Sequence, residues 1–293
     1  MSSFPITVEA PAKVNLSLHV VGKRADGYHL LDSLVAFAGV GDTLAVQPAR
    51  SLSLDVSGPT AALIPDEGEN IVLKAARLLA EAAGVTQGAA IHLTKRLPVA
   101  AGIGGGSADA AAAITGLMRL WGVTLPPERL HALALSIGAD VPVCLAGIPT
   151  RMSGIGDVLG SVPPLPAAWL ILVNPMVPLH TPAVFKARTG PFSEADPLTE
   201  SPVDAAALAA ALLRRRNDLM PAAISLEPMV GEVLAALAAS PSCLLARMSG
   251  SGATCFGLFA AEDEAKAAAT RLQLAQPGWW VAPAALLGQS SGY

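Results

Sequence analysis

Four glycines crowd into five positions of the run Leu97-Pro98-Val99-Ala100-Ala101-Gly102-Ile103-Gly104-Gly105-Gly106-Ser107-Ala108-Asp109-Ala110-Ala111. Glycine at this density is costly inside a strand or a helix, so the elements on either side must be built around a loop. Upstream, Ala90 to Thr94 reads as a short strand; downstream, Ser107 to Trp121 is alanine-rich and reads as a helix. A strand that turns through glycines into a helix directs free N–H groups and the positive end of the helix dipole at one spot. The missing Cβ atoms let a ligand reach the backbone. That arrangement suits a phosphate. It is not a Walker A loop, because no Lys-Ser/Thr pair follows the last glycine, and Ser107 stands where a dinucleotide fingerprint needs its third glycine or alanine.

The rest of the chain mixes strand and helix periods. Ile6 to Ala10 and Val14 to Val20 alternate apolar and polar positions, and Thr43 to Val46 and Leu52 to Val56 also read as strands. Asn70 fits the N-cap of a helix whose Ile71, Ala75, Leu78, Leu79 and Ala82 share a face before Gly84. A further helix opens at Pro126 or Pro127 and stops at Gly138, which puts Asp140 just past its end. Val162-Pro163-Pro164-Leu165-Pro166 favours an extended linker and predicts two parts, 1–162 and 163–293. Beyond it, Trp169 to Val173, Cys243 to Met248, Thr254 to Phe259 and Trp279 to Ala282 read as strands. Asp204 to Arg216, Met229 to Ala239 and Glu262 to Leu274 read as helices. The mixture predicts an α+β fold.

Composition narrows the function classes. With 293 residues and three widely spaced cysteines, Cys144, Cys243 and Cys255, the chain is no disulfide scaffold, and the thiols are expected to be reduced core residues. A net charge of -4 argues against a broad basic face for nucleic acid. Val158 to Phe185 carries no charge, but its prolines at 163, 164, 166, 175, 178 and 182 break any spanning helix, so no membrane partner is expected. Met1 to Glu9 lacks a basic stretch followed by an apolar one, which leads to a cytoplasmic expectation.

Pro98-x-x-x-Gly102-Ile103-Gly104-Gly105-Gly106-Ser107-Ala108 resembles the central phosphate-binding motif of the GHMP kinases. Pro11-Ala12-Lys13-Val14-Asn15-Leu16 is similar to that family's N-terminal motif, and Met248 to Phe256 to its C-terminal glycine motif. The segments Gly22 to Leu34, Gly138 to Val143 and Thr181 to Lys186 resemble the members whose acceptor is a cytidine diphosphate-linked methylerythritol. The resemblance implies a two-domain α+β fold. Its parts are a ribosomal-S5-like ATP-binding domain over 1–162 and a ferredoxin-like α/β sandwich domain, for the substrate, over 163–293. It also implies transfer of a phosphoryl group from ATP, with Mg²⁺, to a hydroxyl of that small molecule. The oligomeric state stays open.

Roles follow from the same resemblance. Lys13 stabilises phosphoryl oxygens and Asp140 is the general base, although on the residues alone Lys13 also fits a solvated strand-end lysine and Asp140 a capping aspartate. Asn70 and Lys95 are placed near adenine, and Pro98, Gly102, Gly104, Gly105, Gly106 and Ser107 form the triphosphate loop. Asn70 equally fits a helix cap, and Lys95 a solvated lysine. Tyr28 and Phe185 flank a cytosine ring while His29 bonds its polar edge; Asn15, Thr181 and Lys186 complete the acceptor site. Asp109 is expected in the first helical turn, where its charge complements the dipole. No protein ligand of the metal ion is assigned.

Overall fold

The computed structural model describes residues 4–65 and 69–288; Met1 to Ser3, part of the segment read for a leader, lie outside the described residues. The elements run β1 (Ile6–Lys23), β2 (His29–Ala49), β3 (Ser53–Ser57), α1 (Ile71–Ala83), β4 (Gly88–Thr94), α2 (Gly105–Trp121), α3 (Pro127–Ile137) and α4 (Val141–Ala146). They continue with β5 (Thr150–Gly154), β6 (Val158–Gly160), β7 (Trp169–Asn174), α5 (Thr181–Ala187), α6 (Ala205–Leu213), α7 (Met220–Leu226), α8 (Met229–Ala238), β8 (Leu245–Met248), β9 (Cys255–Phe259), α9 (Glu262–Ala275) and β10 (Trp280–Leu287). Among the described residues no helix is long and apolar enough to cross a membrane.

The two strands expected before residue 20 form one long strand, β1, that runs through Pro11 and Lys13. Lys13 is therefore mid-strand rather than at a strand end. β2 is longer than the stretch expected as strand: Leu31 to Ala38 is buried without interruption, so it shows none of the alternation that marks a half-buried strand. A tight turn, in which the Arg24 N–H donates to Tyr28 O at 2.7 Å, joins the two strands.

The chain forms two compact units that interleave in sequence instead of dividing once after residue 162. One comprises 1–12, 41–99 and 104–147; the other comprises 13–40, 100–103 and 148–293. In the first, Thr43 to Ala49 of β2 pairs antiparallel with β4, and β3 adds parallel to β4. Its helices cover a core of Leu44, Val46, Val72, Leu79, Ile91, Leu93, Ile114 and Leu117. α2 is buried on several sides because its alanines let neighbouring helices pack close; a Cβ at Gly116 would come within 3.2 Å of Val46.

The second unit carries β7, β8, β9 and β10 in the spatial order β10-β7-β9-β8, and each neighbouring pair in that order runs antiparallel. With helices between β7 and β8 and between β9 and β10, this is the ferredoxin-like βαββαβ order. Ile171, Val173, Val230, Val233, Leu237, Phe259 and Leu272 join sheet and helices in one core. The first half of β2 pairs with β5, and β5 with β6. The proline stretch from Val162 to Pro166 has no regular structure, as its sequence demands, but lies inside this unit.

Candidate active site

In the first unit, β4 ends at Thr94 and the chain passes through Lys95, Arg96, Leu97 and buried Pro98 toward the glycine loop. Lys95 is only 3% exposed, so it is not the solvated lysine its sequence context allowed. Its Nζ donates to Asp42 Oδ2 at 2.5 Å and to Asp109 Oδ2 at 2.7 Å. Asp42, fully buried on β2, also accepts the N–H groups of Arg96 and Leu97 on Oδ1, at 2.5 and 2.8 Å. Thr60 Oγ1 donates to Leu97 O at 2.9 Å. The segment leading into the loop is thus held through one carboxylate and one hydroxyl from distant parts of the chain.

Two carboxylates share one ammonium here, and Asp109 is the one whose charge is disfavoured. Burial pushes its carboxyl up to about 7; Lys95 opposes this and the Asp42 charge adds to it. Among the described residues Asp109 Oδ1 has no hydrogen-bond partner. α2 begins at Gly105, so Asp109 lies beyond its first turn and faces inward; it does not complement the dipole from the surface as expected.

The glycines divide into two roles. Gly104, at φ 63°, is the N-cap of α2, and Gly105, Gly106 and Ser107 supply its first N–H groups, which have no earlier carbonyl in the helix to bond. Gly105 and Gly106 were expected in the loop; they form the helix start. A Cβ on Gly105 would stand 3.3 Å from Lys95 Nζ, so glycine there lets the ammonium lie beneath the first turn. Gly102, at φ 75°, belongs to the second unit, where a Cβ would meet Gly252 O at 2.5 Å and Ser249 O at 2.8 Å. Its side chain is missing for backbone packing. Asn70 acts as the N-cap of α1, its Oδ1 accepting from the Val72 N–H at 2.9 Å. Asp140 occupies the N-cap position of the short α4, a helix unanticipated in sequence. It does not use its side chain to cap that helix, and its carbonyl accepts the Cys144 N–H.

In the second unit the three family motifs form one hydrogen-bonded group. Lys13 is buried; its N–H donates to Ile103 O at 3.0 Å and its Nζ to Asn15 Oδ1 at 2.9 Å. Asn15 donates from Nδ2 to Ser33 Oγ at 2.8 Å and from its backbone to Ser249 Oγ at 3.0 Å. Ser249 Oγ donates to Gly102 O at 3.1 Å, and the Thr254 N–H to Ala101 O. Asn15, expected against the acceptor, is a partner of Lys13 in this structure.

Tyr28 is 61% exposed beside the β1–β2 turn. The His29 ring stacks on Phe185 with centroids 5.0 Å apart and 25° between planes. His29 thus lies against the ring expected to stack on a base. Burial lowers its pKa, and Lys23 and Arg188 lower it further, so it is neutral at pH 7. Thr181 Oγ1 is 2.7 Å from Ser251 Oγ, and exposed Lys186 follows Phe185 on α5. Among the described residues no three His, Cys, Asp or Glu side chains group as a metal site. Sequence reading missed Asp42, Ser33 and Ser249. An acidic residue at an inward position of an alternating strand was the available signal for Asp42, and the two serines lie inside the segments Gly22 to Leu34 and Met248 to Phe256.

The profile described as GHMP kinases N terminal domain matches residues 70–148, and that described as GHMP kinases C terminal matches residues 203–277. A 4-diphosphocytidyl-2-C-methyl-D-erythritol kinase of Paramagnetospirillum magneticum is 74% identical over 287 residues, spanning 98% of this chain and 100% of the relative. The crystal structure of a 4-(cytidine 5'-diphospho)-2C-methyl-D-erythritol kinase, 35% identical, matches with a TM-score of 0.78 over 96% of this chain and 99% of its own. A homoserine kinase from Cytophaga hutchinsonii, 18% identical, shares the fold with a TM-score of 0.73 over 99% of this chain and 97% of its own. Matches of this identity across nearly the full length, joined to the motif geometry above, make the chain a member of the GHMP kinases, in the family of 4-diphosphocytidyl-2-C-methyl-D-erythritol kinases.

Proposed function

We propose that the chain transfers the γ-phosphoryl group of MgATP to the 2-hydroxyl of 4-diphosphocytidyl-2-C-methyl-D-erythritol, giving the 2-phosphate and ADP in the non-mevalonate route to isopentenyl diphosphate. The observation that carries this reading is the 74% identity, end to end, with a kinase of that name. A cytosolic ATP pool as donor fits a cytoplasmic enzyme.

Phosphoryl transfer asks a protein for positioning and charge stabilisation more than for covalent help. The N–H groups of Gly104, Gly105, Gly106 and Ser107 receive the triphosphate, and Lys95, its ammonium paired with Asp42 and Asp109, holds the first turn of α2 from beneath Gly105. Asn70, Pro98 and Gly102 shape the nucleotide side. Mg²⁺ arrives as part of the nucleotide, held by phosphate oxygens and water, and no residue of this chain is assigned to it. Asp140 takes the proton of the acceptor hydroxyl, a contribution of about 10²–10⁴ in rate. The hydroxyl oxygen bonds to the γ-phosphorus as the bond to the β–γ bridging oxygen breaks and ADP leaves. Lys13 stabilises the charge on the transferring oxygens. Asn15, Tyr28, His29, Thr181, Phe185 and Lys186 hold the acceptor, and a cytosine taking the Phe185 face displaces the stacked His29 ring.

Phosphorus NMR of the chain with ATP and the cytidine-linked acceptor tests the reading. One new phosphomonoester signal should grow in step with ADP, and Asp140→Asn and Lys13→Met should each slow it by at least about a hundredfold. ADP formation without that signal, or full turnover by Asp140→Asn, would remove the acceptor or the base from the account.

A further inference from the structure

We propose that Ser33 is a positioning residue for the transfer, because its hydroxyl proton decides which end of the Asn15 amide faces Lys13; the inference rests on the role given above to Lys13. Ser33 lies on β2, 1% exposed, and its hydroxyl donates to Ser17 O at 2.6 Å. A carbonyl can only accept, so the serine proton is committed there and the oxygen is left to accept. It accepts from Asn15 Nδ2 at 2.8 Å.

The oxygen and nitrogen of a carboxamide are nearly the same size, so packing alone does not orient one; the polarity of its neighbours does. With Nδ2 turned to Ser33, Oδ1 is turned to Lys13 Nζ, which donates to it at 2.9 Å. Reversed, the amide would set N–H groups against an ammonium and Oδ1 against an oxygen whose proton points elsewhere. Lys13, Asn15, Ser17 and Ser33 are all buried, so a mismatch among them is costly. The backbone of Asn15 is fixed separately through Ser249, so the amide torsion is the degree of freedom that Ser33 controls. Polarity thus passes from the Ser17 carbonyl through Ser33 and Asn15 to the Lys13 ammonium.

The test uses the full chain. In Ser33→Ala, kcat should fall about ten- to a hundredfold, the scale of a misplaced catalytic group, while KM for ATP stays within about twofold. Ser33→Thr keeps the hydroxyl and should restore most of kcat. In an Asn15→Asp background both side-chain oxygens accept, so Ser33→Ala should then cost less than about threefold. Independently of turnover, the Asn15 side-chain NH₂ signals should exchange slowly in the wild type and broaden or exchange fast in Ser33→Ala. Unchanged kcat in Ser33→Ala, an equal loss in Ser33→Thr, the same penalty in both backgrounds, or an unaltered NH₂ signal would overturn the proposal. Absence of turnover in the wild type would instead strike the proposed reaction, and the NH₂ signals would still decide the role of Ser33.

Discussion

Replacing Asp109 with asparagine should make the protein more stable at alkaline pH and leave it nearly unchanged near pH 5. The folded carboxyl titrates at about 7 against an ordinary 3.8, because burial disfavours its charge and Asp42 adds a second negative charge to the one Lys95 ammonium. A raised value means that its stabilising contribution is complete below the unfolded pKa and is lost as pH climbs through the folded one. By linkage, each pH unit in that window is worth about 1.4 kcal/mol, so the wild type loses about 3 kcal/mol from this group between pH 5 and pH 8. Asparagine cannot titrate and still offers Lys95 an acceptor. Urea unfolding of both forms at several pH values, followed by intrinsic tryptophan fluorescence, to which Trp121 on the same helix contributes, gives the difference directly. Asp109→Asn should gain about 3 kcal/mol on the wild type across that range. A difference that stays flat with pH would mean that Asp109 remains ionised throughout and that Lys95 balances both carboxylates.

Other perturbations separate structural from functional roles. Gly102→Ala drives a Cβ into the backbone of Gly252 at a positive φ and should cost about 2–4 kcal/mol in unfolding experiments, whereas Gly106→Ala meets nothing nearer than Ile71 at 3.7 Å and should keep its melting temperature while raising KM for ATP. Buried Arg247 donates to the carbonyls of Leu16, Leu212 and Arg215, and burial lowers its pKa only to about 10, so it stays charged; Arg247→Met should cost about 3 kcal/mol or more in thermal or urea unfolding, with Arg247→Lys recovering part of it. Phe185→Ala should raise KM for the cytidine-linked acceptor at least about tenfold and leave KM for ATP unchanged in steady-state assays, the loss of one base-stacking face.

Local features could be read from the sequence. Asn70 capping α1, the helix after the glycines and the strands of the second half each follow from signals a few residues long. The glycine loop was legible for the same reason, but the separate work of Gly102 was not: it depends on Gly252 and Ser249, far along the chain, approaching its backbone. Lys95 had two open readings because its partner Asp42 lies 53 residues away in the sequence, on β2. The inward turn of Asp109 depends on where α2 starts, two residues earlier than the composition suggests. Lys13 and Asn15 were found as motif residues, while their contact arises from strand alternation, which sets residues two apart on one face. Their link to Ser33 needs the pairing of β1 with β2, which no motif encodes.

The most direct test of the proposed reaction is ADP release with 4-diphosphocytidyl-2-C-methyl-D-erythritol set beside release with the same alcohol lacking its cytidine, at saturating MgATP. The account predicts steady turnover of the cytidine-linked acceptor and at least about a hundredfold lower kcat/KM for the truncated one, because remote binding energy supports the transfer. Equal turnover of the two would contradict the cytosine site, and no ADP from either would contradict the proposed reaction itself.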